Sequence, residues 1–154
     1  MNGLTHKLYI AQGGKDLVSP VSGSMRPLIR ENRDRGLFQT LNRPLRRYDV
    51  VLYESGGQTL MHRVLRVSST VCELRGDNAQ ESETIPREQI FAVMTGLYRD
   101  ERFISCDSVR YRIFSRLIVA FHPYIGQYRS SPRVFWRFVR KLVTSFRRPC
   151  RSDL

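Results

Sequence analysis

The chain has 154 residues, 41% of them hydrophobic, which suits one compact domain with a sizeable buried core. Its three cysteines, Cys72, Cys106 and Cys150, are an odd number without metal-ligand spacing, so we expect reduced thiols rather than a disulfide framework or a zinc site. The net charge of +12 is unevenly spread, because residues 110–151 hold eleven Arg or Lys and no acidic residue, whereas the preceding part holds fifteen basic and thirteen acidic residues.

The charge therefore divides the chain into a nearly balanced body, residues 1–109, and a cationic tail, residues 110–154. The longest uninterrupted apolar run, Leu117 to Phe121, is far shorter than the roughly 20 residues that cross a bilayer. The N-terminal segment lacks the basic start and apolar core of a secretory signal. We therefore expect a cytoplasmic protein or one that is peripheral at a membrane.

The body is predicted to be β-rich, because short apolar segments alternate with turn residues. Two of the segments are separated by Ser55-Gly56-Gly57, the spacing of a hairpin. Short strands joined by tight turns predict an antiparallel barrel or a folded sheet. The predicted strands are 37–41, 48–54, 58–67, 70–75, 90–98 and 102–105.

The tail is predicted to be helical. A first apolar stripe at helical spacing should end at His122-Pro123, and a second helix should open at Ser131-Pro132. The first stripe contains Tyr111, Phe114, Leu117, Ile118 and Phe121, and the second contains Phe135, Phe138, Val139, Leu142 and Phe146. The cationic flanks of the second helix are Arg133, Arg137, Arg140, Lys141, Arg147 and Arg148.

Two alternatives remain open for these stripes. They can pack on the body or on each other, or they can dock on an anionic membrane surface. Trp136 and the lack of acidic residues favour the membrane. Charge alone does not separate lipid from nucleic acid, but the chain has no nucleic-acid motif, so nucleic acid ranks below lipid as a partner.

Three short motifs carry the chemistry of the chain. Ser24 lies in a Gly-bearing turn, His62 lies in an apolar strand, and Asp77 lies in the turn Gly76-Asp77-Asn78. An alcohol, an imidazole and an acid are the components of an activated serine nucleophile, its base and the group that orients the base. Glu83 is a second candidate for the acid. Taken singly, each motif is more often an ordinary loop, a core histidine or a turn.

A tetrahedral oxyanion would need hydrogen-bond donors near the nucleophile. The backbone N–H of Ser24 and the hydroxyl of Ser22 are the candidates, and Gly23 would let a substrate backbone approach closely.

The order of these motifs resembles the signal peptidase I superfamily, which is grouped with the self-cleaving phage-repressor-type peptidases. The resemblance covers roughly residues 17–105 and is closest to the histidine-bearing branch of the endoplasmic reticulum and archaea. It implies that Ser24 is the nucleophile and that His62 replaces the lysine of the common bacterial enzymes. The segments that carry it are SGSMRP (22–27), YDVVLYE (48–54), HRVLRV (62–67), RGDN (75–78) and IFAVMTGLYRD (90–100).

The resemblance implies a signal-peptidase-like fold of antiparallel strands, a serine endopeptidase that cleaves peptide or preprotein substrates after small residues, and no metal or organic cofactor. The chain departs from these relatives in lacking a transmembrane helix and in its longer loop 30–47. The histidine branch places a second aspartate after the GDN turn, where this chain has Glu83, so the choice between Asp77 and Glu83 stays open. Two other functions remain: a non-catalytic module that binds membrane or nucleic acid through the tail, and a self-cleaving repressor-like peptidase. The second ranks lowest because no DNA-binding helix pair precedes Ser24.

Overall fold

The computed structural model describes residues 3–127. In this range two helices flank a run of eight strands, and two single 3₁₀ turns, Gly23–Met25 and Arg87–Gln89, lie in the connections. The helices are α1 (Gly3–Ala11) and α2 (Val109–Gln127). The strands are β1 (Asp16–Val18), β2 (Asp34–Thr40), β3 (Val50–Ser55), β4 (Gln58–Val67), β5 (Val71–Arg75), β6 (Glu83–Pro86), β7 (Ile90–Arg99) and β8 (Arg102–Ser105).

All the strands belong to one antiparallel sheet with the order β1-β2-β7-β3-β4-β5-β6, and β8 pairs with β7 beside this path. Within residues 3–127 the sheet stays open, with β1 and β6 as its two ends. The predicted β-rich antiparallel fold is therefore confirmed, as a sheet that does not close into a barrel. Strands β4 and β8 have the predicted bounds, whereas α1, β1 and β6 were not anticipated.

The hairpin β3–β4 sets the register that matters for the site. Its loop residues Gly56 and Gly57 have φ of +56° and +75°, in the left-handed region that glycine adopts without steric cost. The resulting register pairs Val51 with His62 and Tyr53 with Leu60. Since side chains alternate along a strand, Tyr53 and His62 lie on the same face of the sheet.

Apolar side chains are buried on both faces of the sheet. One cluster gathers Val51, Tyr53, Val64, Leu74 and Ile85 with neighbouring residues. A second cluster is formed by apolar residues at the alternate positions of the strands, on the other face of the sheet. It also includes residues of α2 and of the turn before Pro27. The buried members of this second cluster are Ile10, Met25, Leu28, Ile29, Phe38, Val50, Leu52, Met61, Ala92, Met94, Leu97, Tyr111 and Ile118.

A first compact unit of the described residues ends at Ala120, and α2 continues beyond it. The first unit extends past the predicted boundary at residue 109, because Tyr111 and Ile118 of α2 are buried in its core and Phe114 packs against it. For this part of the first stripe, the structure shows packing on the body. The helix also continues through Pro123 to Gln127, so the predicted end at His122-Pro123 is wrong. Proline removes one backbone donor, but its fixed φ is a helical value.

The predicted second helix and its six cationic residues lie outside the described residues. Within residues 3–127, no helix has both the length and the apolar character needed to cross a bilayer.

Candidate active site

Ser24 lies at the centre of a 3₁₀ turn that is anchored by its neighbour. Met25 is fully buried in the core, whereas Ser24 is only partly buried. Ser22 caps the turn: its Oγ lies 3.5 Å from the Ser24 backbone nitrogen and 3.2 Å from the Ser24 Oγ. The two predicted oxyanion donors, the Ser22 hydroxyl and the Ser24 N–H, therefore lie within one turn of chain.

The turn that carries Ser24 packs against the Gly76-Asp77-Asn78 turn. The Asn78 N–H donates to the Ser24 carbonyl oxygen at 2.7 Å, and the Asn78 side-chain amide lies 3.4 Å from the Gly23 carbonyl oxygen. Gly76 is essential to this contact, because a Cβ at its position would lie 2.8 Å from the Ser24 carbonyl oxygen and 3.1 Å from the Ser24 Cβ. The backbone of Ser24 thus occupies the space that a Gly76 side chain would need.

The turn that contains Ser24 also contacts β4, the strand that contains His62. Arg63 of β4 pairs with Arg75, the last residue of β5. Gly76 follows Arg75, so extending this antiparallel register by one residue beyond the strand would bring Gly76 level with His62. Within residues 3–127 Ser24 Oγ is hydrogen-bonded to Ser22 and not to His62.

His62 is held by an acid from the end strand of the sheet. Its Nδ1 lies 2.7 Å from Glu83 Oε1 and 2.7 Å from the hydroxyl of Tyr53. The Tyr53 hydroxyl also donates to the same oxygen of Glu83. The His62 side chain is 16% exposed and that of Glu83 is 35% exposed, so the pair lies at the edge of the core. A proton on Nδ1 that is donated to Glu83 leaves Nε2 as the free basic nitrogen.

Asp77 has a different partner. Its two carboxylate oxygens accept from Arg63 Nε at 2.6 Å and Arg63 Nη2 at 2.7 Å, and both side chains are almost completely buried. Arg63 Nη1 also donates to the Tyr48 carbonyl oxygen at 2.9 Å. Burial alone would lower the pKa of Arg63, but the charge and hydrogen bonds of Asp77 outweigh it and raise that pKa, so the guanidinium stays charged.

The structure therefore separates the two candidate acids. It brings Glu83 to His62, and it does not bring Asp77 there, which corrects Asp77 as a candidate for orienting the base. The physical reason is strand alternation: His62 and Arg63 are consecutive on β4 and point to opposite faces, and Asp77 pairs with the second. The choice between Asp77 and Glu83 resolves geometrically to Glu83.

Two residues that hold the predicted site side chains in place were not identified from the sequence. Tyr53 contacts both His62 and Glu83, and Arg63 fixes Asp77. The hairpin register contained the signal for Tyr53, because a two-glycine loop places it diagonally across from His62 on the same face. Arg63 had a signal too, since an arginine between buried Met61 and Val64 must find a carboxylate partner.

Within residues 3–127 no three His, Cys, Asp or Glu side chains are grouped in a way that could hold a metal ion. The cysteines of the body, Cys72 and Cys106, are free thiols, and burial raises the pKa of Cys106 to about 12.

In comparisons, no protein-family model, no curated protein and no solved structure matches this chain.

The two acids should differ sharply in their effect on stability. Asp77→Asn leaves the buried charge of Arg63 without its partner and is expected to lower the free energy of unfolding by about 3–5 kcal/mol. Glu83→Gln, at a partly exposed position, should change it by less than about 1 kcal/mol. Urea denaturation of both variants checks this, and an equal loss in the two would contradict the assigned roles.

Gly76→Ala should displace the nucleophile turn. The added methyl group meets the backbone of Ser24, which cannot rotate away, so we expect a loss of about 1–3 kcal/mol and altered exposure of Ser24. Gly23→Ala is the matched control for stability, because its methyl group would meet only the flexible Arg26 side chain, at 3.4 Å. Thermal unfolding of the two variants is the measurement, and equal melting temperatures would show that Gly76 is not a packing constraint.

Proposed function

We propose that this protein is a serine endopeptidase of the signal-peptidase-I-like type, with Ser24 as nucleophile, His62 as general base and Glu83 as the acid that orients His62. The observation that carries the proposal is the Glu83–His62 contact, combined with the packing of Ser24 on Gly76, which follows the strand that pairs with β4. An imidazole bound to a carboxylate through Nδ1, beside a half-buried serine, is the arrangement that activates a hydroxyl for acyl transfer.

Each of these residues has one role in the acylation step. Ser24 Oγ attacks the carbonyl carbon of the scissile peptide bond, and His62 Nε2 takes the hydroxyl proton as the new C–O bond forms. Glu83 stabilises the imidazolium through Nδ1–H. The Ser24 N–H and the Ser22 hydroxyl, which in the free protein lies 3.2 Å from Ser24 Oγ, donate to the oxyanion. The C–N bond then breaks, and the leaving amine receives the proton from His62.

Water completes the cycle by the same groups in reverse. His62 removes a proton from the water that attacks the acyl-enzyme, the tetrahedral intermediate collapses, and the proton returns to Ser24 as the carboxylic acid product leaves. Asp77 takes no proton in this scheme. Its pairing with Arg63 instead holds the turn that supports Ser24 through Asn78.

The fold and the sequence position of Glu83 also support the signal-peptidase-like assignment. The open antiparallel sheet agrees with the strand-rich fold implied by the motif order. Glu83 stands at the position where the histidine-bearing branch has its second aspartate, and it is the acid that contacts His62. Cleavage after small residues of peptide or preprotein substrates is part of the proposal through this resemblance.

A fluorophosphonate that acylates activated serines, followed by peptide mapping, tests the proposal. We expect labelling confined to Ser24, and a loss of at least about 100-fold in labelling rate in His62→Ala, because the general base contributes on the order of 10²–10⁴. Ser24→Ala should remove labelling while keeping the melting temperature. Ser69→Ala, in the exposed turn between β4 and β5, is the control serine. Proteolysis retained by purified Ser24→Ala would end the proposal.

The cationic tail favours a second function of a different class, a module that binds anionic membrane surfaces. Its support is that residues 110–151 contain eleven basic residues and no acidic residue. Replacing Arg137, Arg140 and Arg148 with Gln should weaken co-sedimentation with phosphatidylserine vesicles, and added salt should weaken it further. The same number of changes in the body, at Arg35, Arg66 and Arg102, is the matched control. Binding that is indifferent to both salt and the tail changes would contradict this function.

A further inference from the structure

The Tyr53 hydroxyl lies where two ionisable side chains meet. It contacts His62 Nδ1 at 2.7 Å and donates to Glu83 Oε1, while His62 Nδ1 lies 2.7 Å from that same oxygen. The Tyr53 and His62 rings are tilted by 46° with centroids 5.6 Å apart. Three polar atoms therefore converge on one point, and the hydrogen atoms available to them decide which arrangement is stable.

Only one distribution of hydrogens satisfies all three groups. If the Tyr53 hydroxyl donated to Nδ1, its oxygen would face the carboxylate oxygen of Glu83 with no hydrogen between them, which is repulsive. If the hydroxyl donates to Glu83, Nδ1–H can donate both to Glu83 Oε1 and to the Tyr53 oxygen, so no two acceptors face each other without a hydrogen between them. Burial, and then the hydrogen bond and charge of Glu83, raise the pKa of Tyr53, so the hydroxyl keeps its proton.

Burial shows which member of the trio is the fixed one. Tyr53 is 0% exposed and is part of a core cluster, with Val51 and Val64 among its members. Glu83 is the first residue of β6, the end strand of the sheet, and its side chain is one-third exposed. A long, partly solvated side chain at such a position has several rotamers, and a rigid donor in the core restricts it to one of them.

The geometry points to Tyr53 as a positioning residue that holds the Glu83 carboxylate against His62 and thereby keeps the imidazole in the Nδ1–H tautomer, with Nε2 directed to the reacting serine. The catalytic consequence rests on the proposed function, whereas the tautomer can be measured without it. Tyr53 acts through Glu83 and need not touch the substrate.

Tyr53→Phe removes only the hydroxyl and tests the inference directly. In ¹⁵N spectra recorded at about pH 8.5, where an ordinary imidazole is neutral, wild-type His62 should be in the Nδ1–H form and the variant should show a mixture of tautomers. The His62 resonances are identified by their loss in His62→Gln. Tyr98→Phe is the matched control, since Tyr98 is also a sheet tyrosine and its ring packs on that of Phe103.

The labelling rate of Ser24 by the fluorophosphonate should fall about tenfold in Tyr53→Phe, because a hydrogen bond to a charged group is lost. The double variant Tyr53→Phe/Glu83→Gln should label no more slowly than Glu83→Gln alone, since both changes act on the same contact. A purely structural role of Tyr53 would instead give losses that multiply.

The outcomes separate this inference from the proposed function. A changed tautomer in Tyr53→Phe, in a protein whose Ser24 never labels, supports the positioning role and removes the hydrolase. An unchanged tautomer and labelling rate in a folded Tyr53→Phe protein overturn the positioning role, as does an equal effect of Tyr98→Phe. Should Tyr53→Phe fail to fold, the tautomer of His62 in Glu83→Gln decides instead, and retention of the Nδ1–H form there overturns the inference.

Discussion

The buried ion pair between Arg63 and Asp77 is the constraint on which the site depends. Both charged groups are removed from water, so each is stable only while the other stays in place. Arg63 follows His62 on β4. Asp77 lies in the turn whose Gly76 and Asn78 contact the Ser24 backbone. The pair therefore fixes the distance between the strand that bears the imidazole and the loop that supports the serine, although neither charge takes part in the proposed chemistry.

Because side chains alternate along a strand, the neighbouring residues His62 and Arg63 of β4 lie in different environments. His62 points to the face that contains Tyr53 and Glu83, where the His62 and Glu83 side chains are partly exposed. Arg63 points to the other face, where it is fully buried. A one-residue slip in the β3–β4 register would exchange these environments and put a guanidinium in the site. The two glycines of the hairpin loop, with their positive φ, are what exclude that slip.

Elements with a long, regular pattern of apolar residues could be predicted from the sequence, whereas short elements could not. The ten residues of β4 and the Gly56-Gly57 loop were predictable, and so was the apolar stripe of α2 around Tyr111. Strand β6 has only four residues, too few for any pattern to emerge, so the position of Glu83 in space could not be derived. Asp77 and Glu83 both follow His62 in the sequence. Only the folded structure shows that Asp77 pairs with Arg63 and that Glu83 contacts the His62 imidazole.

The placement of Glu83 on β6 has a consequence for regulation of the site. In the part of the chain that the structure describes, this four-residue strand has a neighbour on one side only and is therefore held by few backbone hydrogen bonds, and such segments open at a small fraction of the global unfolding free energy. Each local opening would carry the carboxylate away from the imidazole while the Arg63 side of the sheet stayed intact. The opening equilibrium of β6, which amide exchange reports, would then set the fraction of molecules in which Glu83 contacts His62, and a ligand that adds a strand at this end would raise that fraction.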